Sequence, residues 1–181
     1  MPTLRPLRDY SEHEVIPFFT YSGSLPVNRG TVVKIVGSGF LGQDIALAGA
    51  VGYQPAGTLS ERWTVVPQVA PVTATTDKPI GILLKDGREV DENGEQLKYR
   101  PRKAEEMHVF ISGQNAPVVT EGVFHYSGIS GSVLPGDSLY ASTLVPGELT
   151  NFTGSAANLK VGTALSVKDS NGWAFIKLNV V

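Results

Sequence analysis

Alternation of apolar and polar positions is the dominant signal along this chain. In residues 173–180, Ala174, Ile176, Leu178 and Val180 fall on one face, opposite Trp173, Phe175, Lys177 and Asn179. A repeat of two is the period of a half-buried β-strand. Leu139, Ala141 and Thr143 alternate in the same way with Ser138, Tyr140 and Ser142. Two turns, Pro135-Gly136-Asp137 and Pro146-Gly147-Glu148, bracket that run. Proline presets the first corner of a type II turn, and glycine supplies the positive φ of the second. Apolar, β-branched runs predict further strands at 31–36, 78–85, 107–111 and 118–126, with a bulge at Gly122.

Glycine (20) and proline (12) punctuate the whole length, and the longest stretch free of both is 102–112. A mean helix takes about 11–12 residues, so little helix fits. The expected class is all-β, a compact β-barrel or β-sandwich.

Two phrases resemble one another: Lys78-Pro79-Ile80-Gly81-Ile82-Leu83-Leu84 and Leu159-Lys160-Val161-Gly162-Thr163-Ala164-Leu165. Each lies downstream of a glycine-led strand, Gly30-Thr31-Val32-Val33 and Gly136-Asp137-Ser138-Leu139. A degenerate internal duplication and a shared strand grammar both account for this, and the phrases are too short to choose.

Residues 1–22 are broken by Pro2, Pro6 and Pro17 and carry many charges, yet end in a cluster of Val15, Ile16, Phe18, Phe19 and Tyr21. An extended arm docking its aromatic end on a neighbour fits this mixture, and so does an edge strand packed on its own domain. Residues 23–181 read as a single β-rich domain. Within it, 85–106 is densely charged and holds the turn dipeptides Asp86-Gly87 and Asn93-Gly94. It reads as a solvated excursion, a long hairpin or lid.

Composition narrows the function. The absence of cysteine removes disulfides, thiolate zinc sites and cysteine nucleophiles. A net charge of −2 gives no general phosphate-binding surface. The patch Tyr99, Arg100, Arg102 and Lys103 is offset by Glu105 and Glu106, so no nucleic-acid partner is expected. No apolar run reaches the roughly 20 residues of a membrane span, and the start lacks a secretory h-region. The sequon Asn151-Phe152-Thr153 has no meaning without secretion.

Candidate chemistry is thin. Gly37-Ser38-Gly39-Phe40-Leu41-Gly42 is a G-x-G-x-x-G run directly after a strand, the spacing that cradles a dinucleotide. The segment after it is cut by Gly49, Gly52 and Pro55, and no βαβ alternation follows. Of His13, His108 and His125, His108 shares an expected strand face with Glu106, but no third ligand is near in sequence. Ser24, Ser38, Ser130 and Ser138 are nucleophiles only by type, and Gly128-Ile129-Ser130-Gly131 is not a nucleophile elbow. The residues therefore predict no catalytic group, no cofactor, no metal and no small-molecule substrate.

The order of phrases is more specific. A polar N-terminal segment leads into Ser22-Gly23-Ser24-Leu25-Pro26-Val27-Asn28-Arg29-Gly30-Thr31-Val32-Val33. Lys78-Pro79-Ile80-Gly81, Glu121-Gly122-Val123-Phe124, Pro135-Gly136-Asp137-Ser138-Leu139-Tyr140, Gly147-Glu148-Leu149-Thr150 and Val161-Gly162-Thr163-Ala164-Leu165 follow. Over most of residues 20–181 this order resembles the small head decoration (cement) proteins of tailed bacteriophages; residues 85–106 have no counterpart in that pattern. The resemblance implies a β-tulip-like body made in the host cytoplasm. It also implies a homotrimer on the outer capsid surface that clamps major capsid proteins, and no enzymatic activity. On this reading the arm supplies the capsid contacts, with Arg5, Arg8, Tyr10, Ile16, Phe18, Phe19 and Tyr21 as the expected residues. Deleting residues 1–19 is then expected to leave the body folded and abolish capsid binding. The alternative is a β-rich tail, fibre or host-receptor-binding module; an NAD-dependent oxidoreductase built on Gly37, Gly39 and Gly42 comes third.

Overall fold

A computed structural model describes residues 2–7, 12–17, 19–36, 67–74, 76–151 and 159–180. The fold is all-β. Among the described residues, one sheet has six strands in the order β2 (Val15–Ile16), β9 (Val118–Val119), β6 (Pro79–Leu83), β4 (Val32–Ile35), β5 (Gln68–Pro71) and β3 (Thr20–Tyr21). A second has seven, in the order β1 (Leu4–Pro6), β10 (Glu121–Tyr126), β15 (Ala174–Asn179), β14 (Lys160–Ala164), β12 (Ser138–Ala141), β13 (Leu149–Thr150) and β11 (Ile129–Ser130). A third pairs β7 (Asp86–Gly87) with β8 (Val109–Phe110).

Apart from β1, the two large sheets are the same sheet built twice. Running β2-β9-β6-β4-β5-β3 beside β10-β15-β14-β12-β13-β11, the first four pairings are antiparallel and the last is parallel in both. The register irregularity also recurs, between Val33 and Lys34 opposite Gly81, and between Leu139 and Tyr140 opposite Gly162. Both glycines are required by close approach. A Cβ on Gly81 would strike the carbonyl oxygen of Val119, and one on Gly162 that of Lys177. The two similar phrases thus occupy one position of a six-strand module used twice.

The modules stack in layers. Val32, Ile82 and Val119 point into a core shared with Phe124, Leu139, Ile176 and Leu178 of the seven-stranded sheet. Their neighbours Val33, Leu83 and Val118 point the other way, into a second core with Phe19, Val27, Val69 and Phe110. The six-stranded sheet is therefore buried on both faces, which is why its strands read as continuous apolar pairs. In β15 the buried and exposed positions alternate as the sequence requires.

Local turns follow the expected chemistry. Asp137 N donates to Leu134 O (3.1 Å) and Glu148 N to Val145 O (3.2 Å), closing two Pro-Gly turns with positive φ at Gly136 and Gly147. The bulge expected at Gly122 is absent, because β10 runs in unbroken register with β15. The irregularity lies two residues earlier, at Thr120, where the chain crosses from one sheet to the other.

Three further expectations are corrected. Of the two readings of residues 1–22, the described residues follow the edge strand packed on its own domain and not the extended arm. β1 lines the edge of the seven-stranded sheet, and β2 and β3 form the two edges of the other. Leu4 is only 1% exposed and Phe19 3%, so deleting residues 1–19 would open both cores. The strand expected at 107–111 shortens to β8, because helix α1 (Pro101–Glu106) ends at Met107 and His108 turns with φ 53°. Glu106 and His108 consequently share no strand. The charged excursion is a small folded unit rather than a plain hairpin. Leu97, Ala104 and Val109 form its own apolar cluster, and its charges pair as Lys103–Glu92 (2.6 Å), Arg102–Glu106 (3.4 Å) and Arg100–Glu95.

Candidate docking surface

The outer face of the seven-stranded sheet gathers side chains from strands far apart in sequence. Arg5 of β1 lies opposite His125 of β10, and His125 opposite Phe175 of β15. Trp173 joins this row from the turn ahead of β15. That turn is fixed by Asp169, whose Oδ1 accepts hydrogen bonds from Asn171 N (2.9 Å) and Trp173 N (2.8 Å). The result is a ladder. The Arg5 guanidinium sits 4.6 Å from the Trp173 ring centre, Trp173 4.8 Å from His125, and His125 4.8 Å from Phe175.

Each of these groups stacks on its neighbour, and Phe175, at the end of the row, is 38% exposed. Exposed aromatic groups of this kind suit contact with a partly apolar partner surface. Leu7 (58% exposed) and Leu165 (46%) extend an apolar surface around the ladder. Beside it Leu159, Lys160, Thr163, Lys177 and Asn179 line a hollow of about 390 Å³. Arg5, Lys160 and Lys177 give this region positive charge, with Glu121 at its margin, whereas the chain as a whole carries −2.

The four described residues of those expected to contact a capsid do not form one surface. Arg5 is exposed in the ladder. Phe19 is in the core, and Ile16 and Tyr21 pack half-buried against the same cluster, so these three serve the chain's own fold. The Tyr21 ring lies 5.9 Å from Phe110, and burial pushes its hydroxyl pKa up to about 12. Arg8, Tyr10 and Phe18 lie outside the described residues. The sequence showed Phe175 and Lys177 on the outward face of β15; it carried no signal for His125 and Arg5 beside them, since cross-sheet pairing is non-local.

Other candidates separate in the structure. The G-x-G-x-x-G run and Ser38 lie outside the described residues. The strands that flank that run, β4 and β5, are antiparallel neighbours, whereas a dinucleotide-binding βαβ unit needs parallel ones. Ser130 Oγ donates to the Glu148 carboxylate (3.0 Å), tying β11 to a Pro-Gly turn. His13 and His108 are exposed, and no group of three metal-ligating side chains forms among the described residues. A groove of about 450 Å³ lined by Leu25, Pro26, Val90 and Met107 runs beside the charged excursion.

Two carboxylates tie down the loops ahead of β6 and β12. Burial would raise the Asp77 carboxyl, but the Lys34 ammonium at 2.6 Å and the amides of Thr73 and Ala74 outweigh it and hold its pKa below the usual range. Asp137 is lowered by the Leu134 amide and then by the Asn151 side chain.

No protein-family model matches the chain, and no curated protein is significantly similar to it. Among the described residues, no helix is long and apolar enough to cross a membrane.

Proposed function

We propose that this chain is a capsid decoration protein, a homotrimer that binds major capsid proteins on the outer surface of a tailed-phage head and clamps them against internal pressure. The order of turn-and-strand phrases carries the reading. Those phrases fall on β6, β10, β12, β13 and β14 and on the two Pro-Gly turns, all within one all-β body. A clamp needs a folded body and a surface left for the lattice, and an all-β body with an exposed outer sheet face supports that reading. Three copies around a symmetry axis would multiply modest contacts through avidity. Co-sedimentation of the full chain with empty shells of the cognate major capsid protein tests the proposal. Retention with the shells, together with a trimer mass in solution, is expected; a chain that stays in the supernatant would overturn it.

A second reading, a tail, fibre or receptor-binding module, is favoured by the exposed aromatic ladder alone. It requires binding to host cells or glycans in place of empty shells.

A further inference from the structure

The duplicated module shows what its faces are for. With Gly81 set equivalent to Gly162, the shared registers make Val32, Ile82, Val119 and Val15 of the six-stranded sheet equivalent to Ser138, Thr163, Lys177 and Val123. The first row is the face on which the second module packs. The second row lies on the outer face of the seven-stranded sheet. On the opposite faces, Leu83 and Val118 are equivalent to Ala164 and Ile176. The two modules are therefore stacked in the same sense, front to back. The front of the first is capped by the chain's own β7–β8 unit and residues 19–27, and among the described residues nothing packs on the back of the second, where Phe175 and Lys177 are exposed.

From this arrangement we infer that the open back of the second module, from the Arg5–Trp173–His125–Phe175 ladder to Lys177, is the surface that docks the major capsid protein, through an acidic, partly apolar patch of it. The inference rests on the decoration reading. The chemistry of the row sets the partner. Where the first module presents Ile82 and Val119 to a dry core, the second presents Thr163 and Lys177, flanked by Arg5 and Lys160. A surface that carries a lysine and hydroxyls where the first module has aliphatics, with Arg5 and Lys160 beside an aromatic ladder, calls for carboxylates and apolar groups on its partner. A second copy does not supply that complement. The face that packs against a module's back is the inner face of the seven-stranded sheet, which is already buried in every copy.

The test uses the full chain and two exposed charge reversals, Arg5→Glu/Lys177→Glu and Lys160→Glu/Lys177→Glu, with shells of the cognate major capsid protein. Thermal unfolding of each variant controls for folding. Unaltered protein should co-sediment, more weakly as salt rises, and each double variant should bind at least about tenfold more weakly. Equal binding by folded variants would overturn the assignment of this face and leave the decoration reading standing. Failure of the unaltered protein to bind shells overturns the decoration reading itself. A gel shift with single-stranded DNA that the same variants abolish would replace the protein partner by a nucleic acid.

Discussion

The two large sheets follow one strand order and one register, yet they behave differently. The six-stranded sheet is a middle layer: Val32 and Val33, Ile82 and Leu83, and Val118 and Val119 send adjacent side chains into two separate cores. The seven-stranded sheet is an outer layer, buried through Phe124, Ile176 and Leu178 and open through His125, Phe175 and Lys177. The first module also carries the charged excursion between β6 and β9, where the second has only a tight turn at Asp169. One module spends its insertions on covering itself; the other keeps a face free. In a duplicated fold, the copy that remains uncovered is the place to look for a partner.

The comparison can be broken first at β1, the one strand the second module has in excess. Leu4→Ala should lower unfolding free energy by about 2–5 kcal/mol, the range for a buried leucine. Chemical denaturation measures it, and a loss below about 0.5 kcal/mol, ordinary for surface changes, would restore the detached arm. Next come the paired glycines. Gly81→Ala and Gly162→Ala should each cost roughly 1–3 kcal/mol, because each methyl meets a backbone oxygen of the adjoining strand. Equal losses support equivalent positions, and a neutral result at either would deny them.

A smaller effect is expected at the seam between the modules. The Tyr126 hydroxyl is fully buried and donates to Gly30 O at 2.9 Å, and burial, then the Glu148 carboxylate, raises its pKa well above the usual tyrosine range. Tyr126→Phe leaves that carbonyl unpaired and should cost about 1–2 kcal/mol in the same assay.

Acid sharpens the contrast further. Asp77 and Asp137 are held below their usual pKa in the folded chain, so each favours folding above the unfolded value near about 3.9. That contribution fades as pH falls through the lower folded values. Asp77→Asn and Asp137→Asn should flatten the acid limb of a stability–pH profile, and an unchanged limb would show that these carboxylates are not linked to folding. The smallest change is expected for Arg5→Glu/Lys177→Glu, within about 0.5 kcal/mol per site, since both side chains are exposed.

Much of the fold was legible because its signals are local. Alternation in 173–180 marked β15 and its outward face, and the Pro-Gly-acid turns named both corners around β12. The glycine phrases held the duplication, although only the common register at Gly81 and Gly162 made it decisive. The N-terminal segment was ambiguous for a physical reason. Leu4, Ile16 and Phe19 are apolar whether they dock on a neighbour or on their own chain, and composition does not name the surface they meet. Residues 107–111 misled because a short helix that ends at a left-handed His108 leaves little trace in periodicity.

By itself the sequence determined the β class, the turns and which side chains of each strand share a face, since these follow from backbone geometry over a few residues. Only the tertiary structure decided which face of which sheet stays open. That depends on pairings between residues more than a hundred positions apart, such as Arg5 with His125, and on which module its own insertions cover.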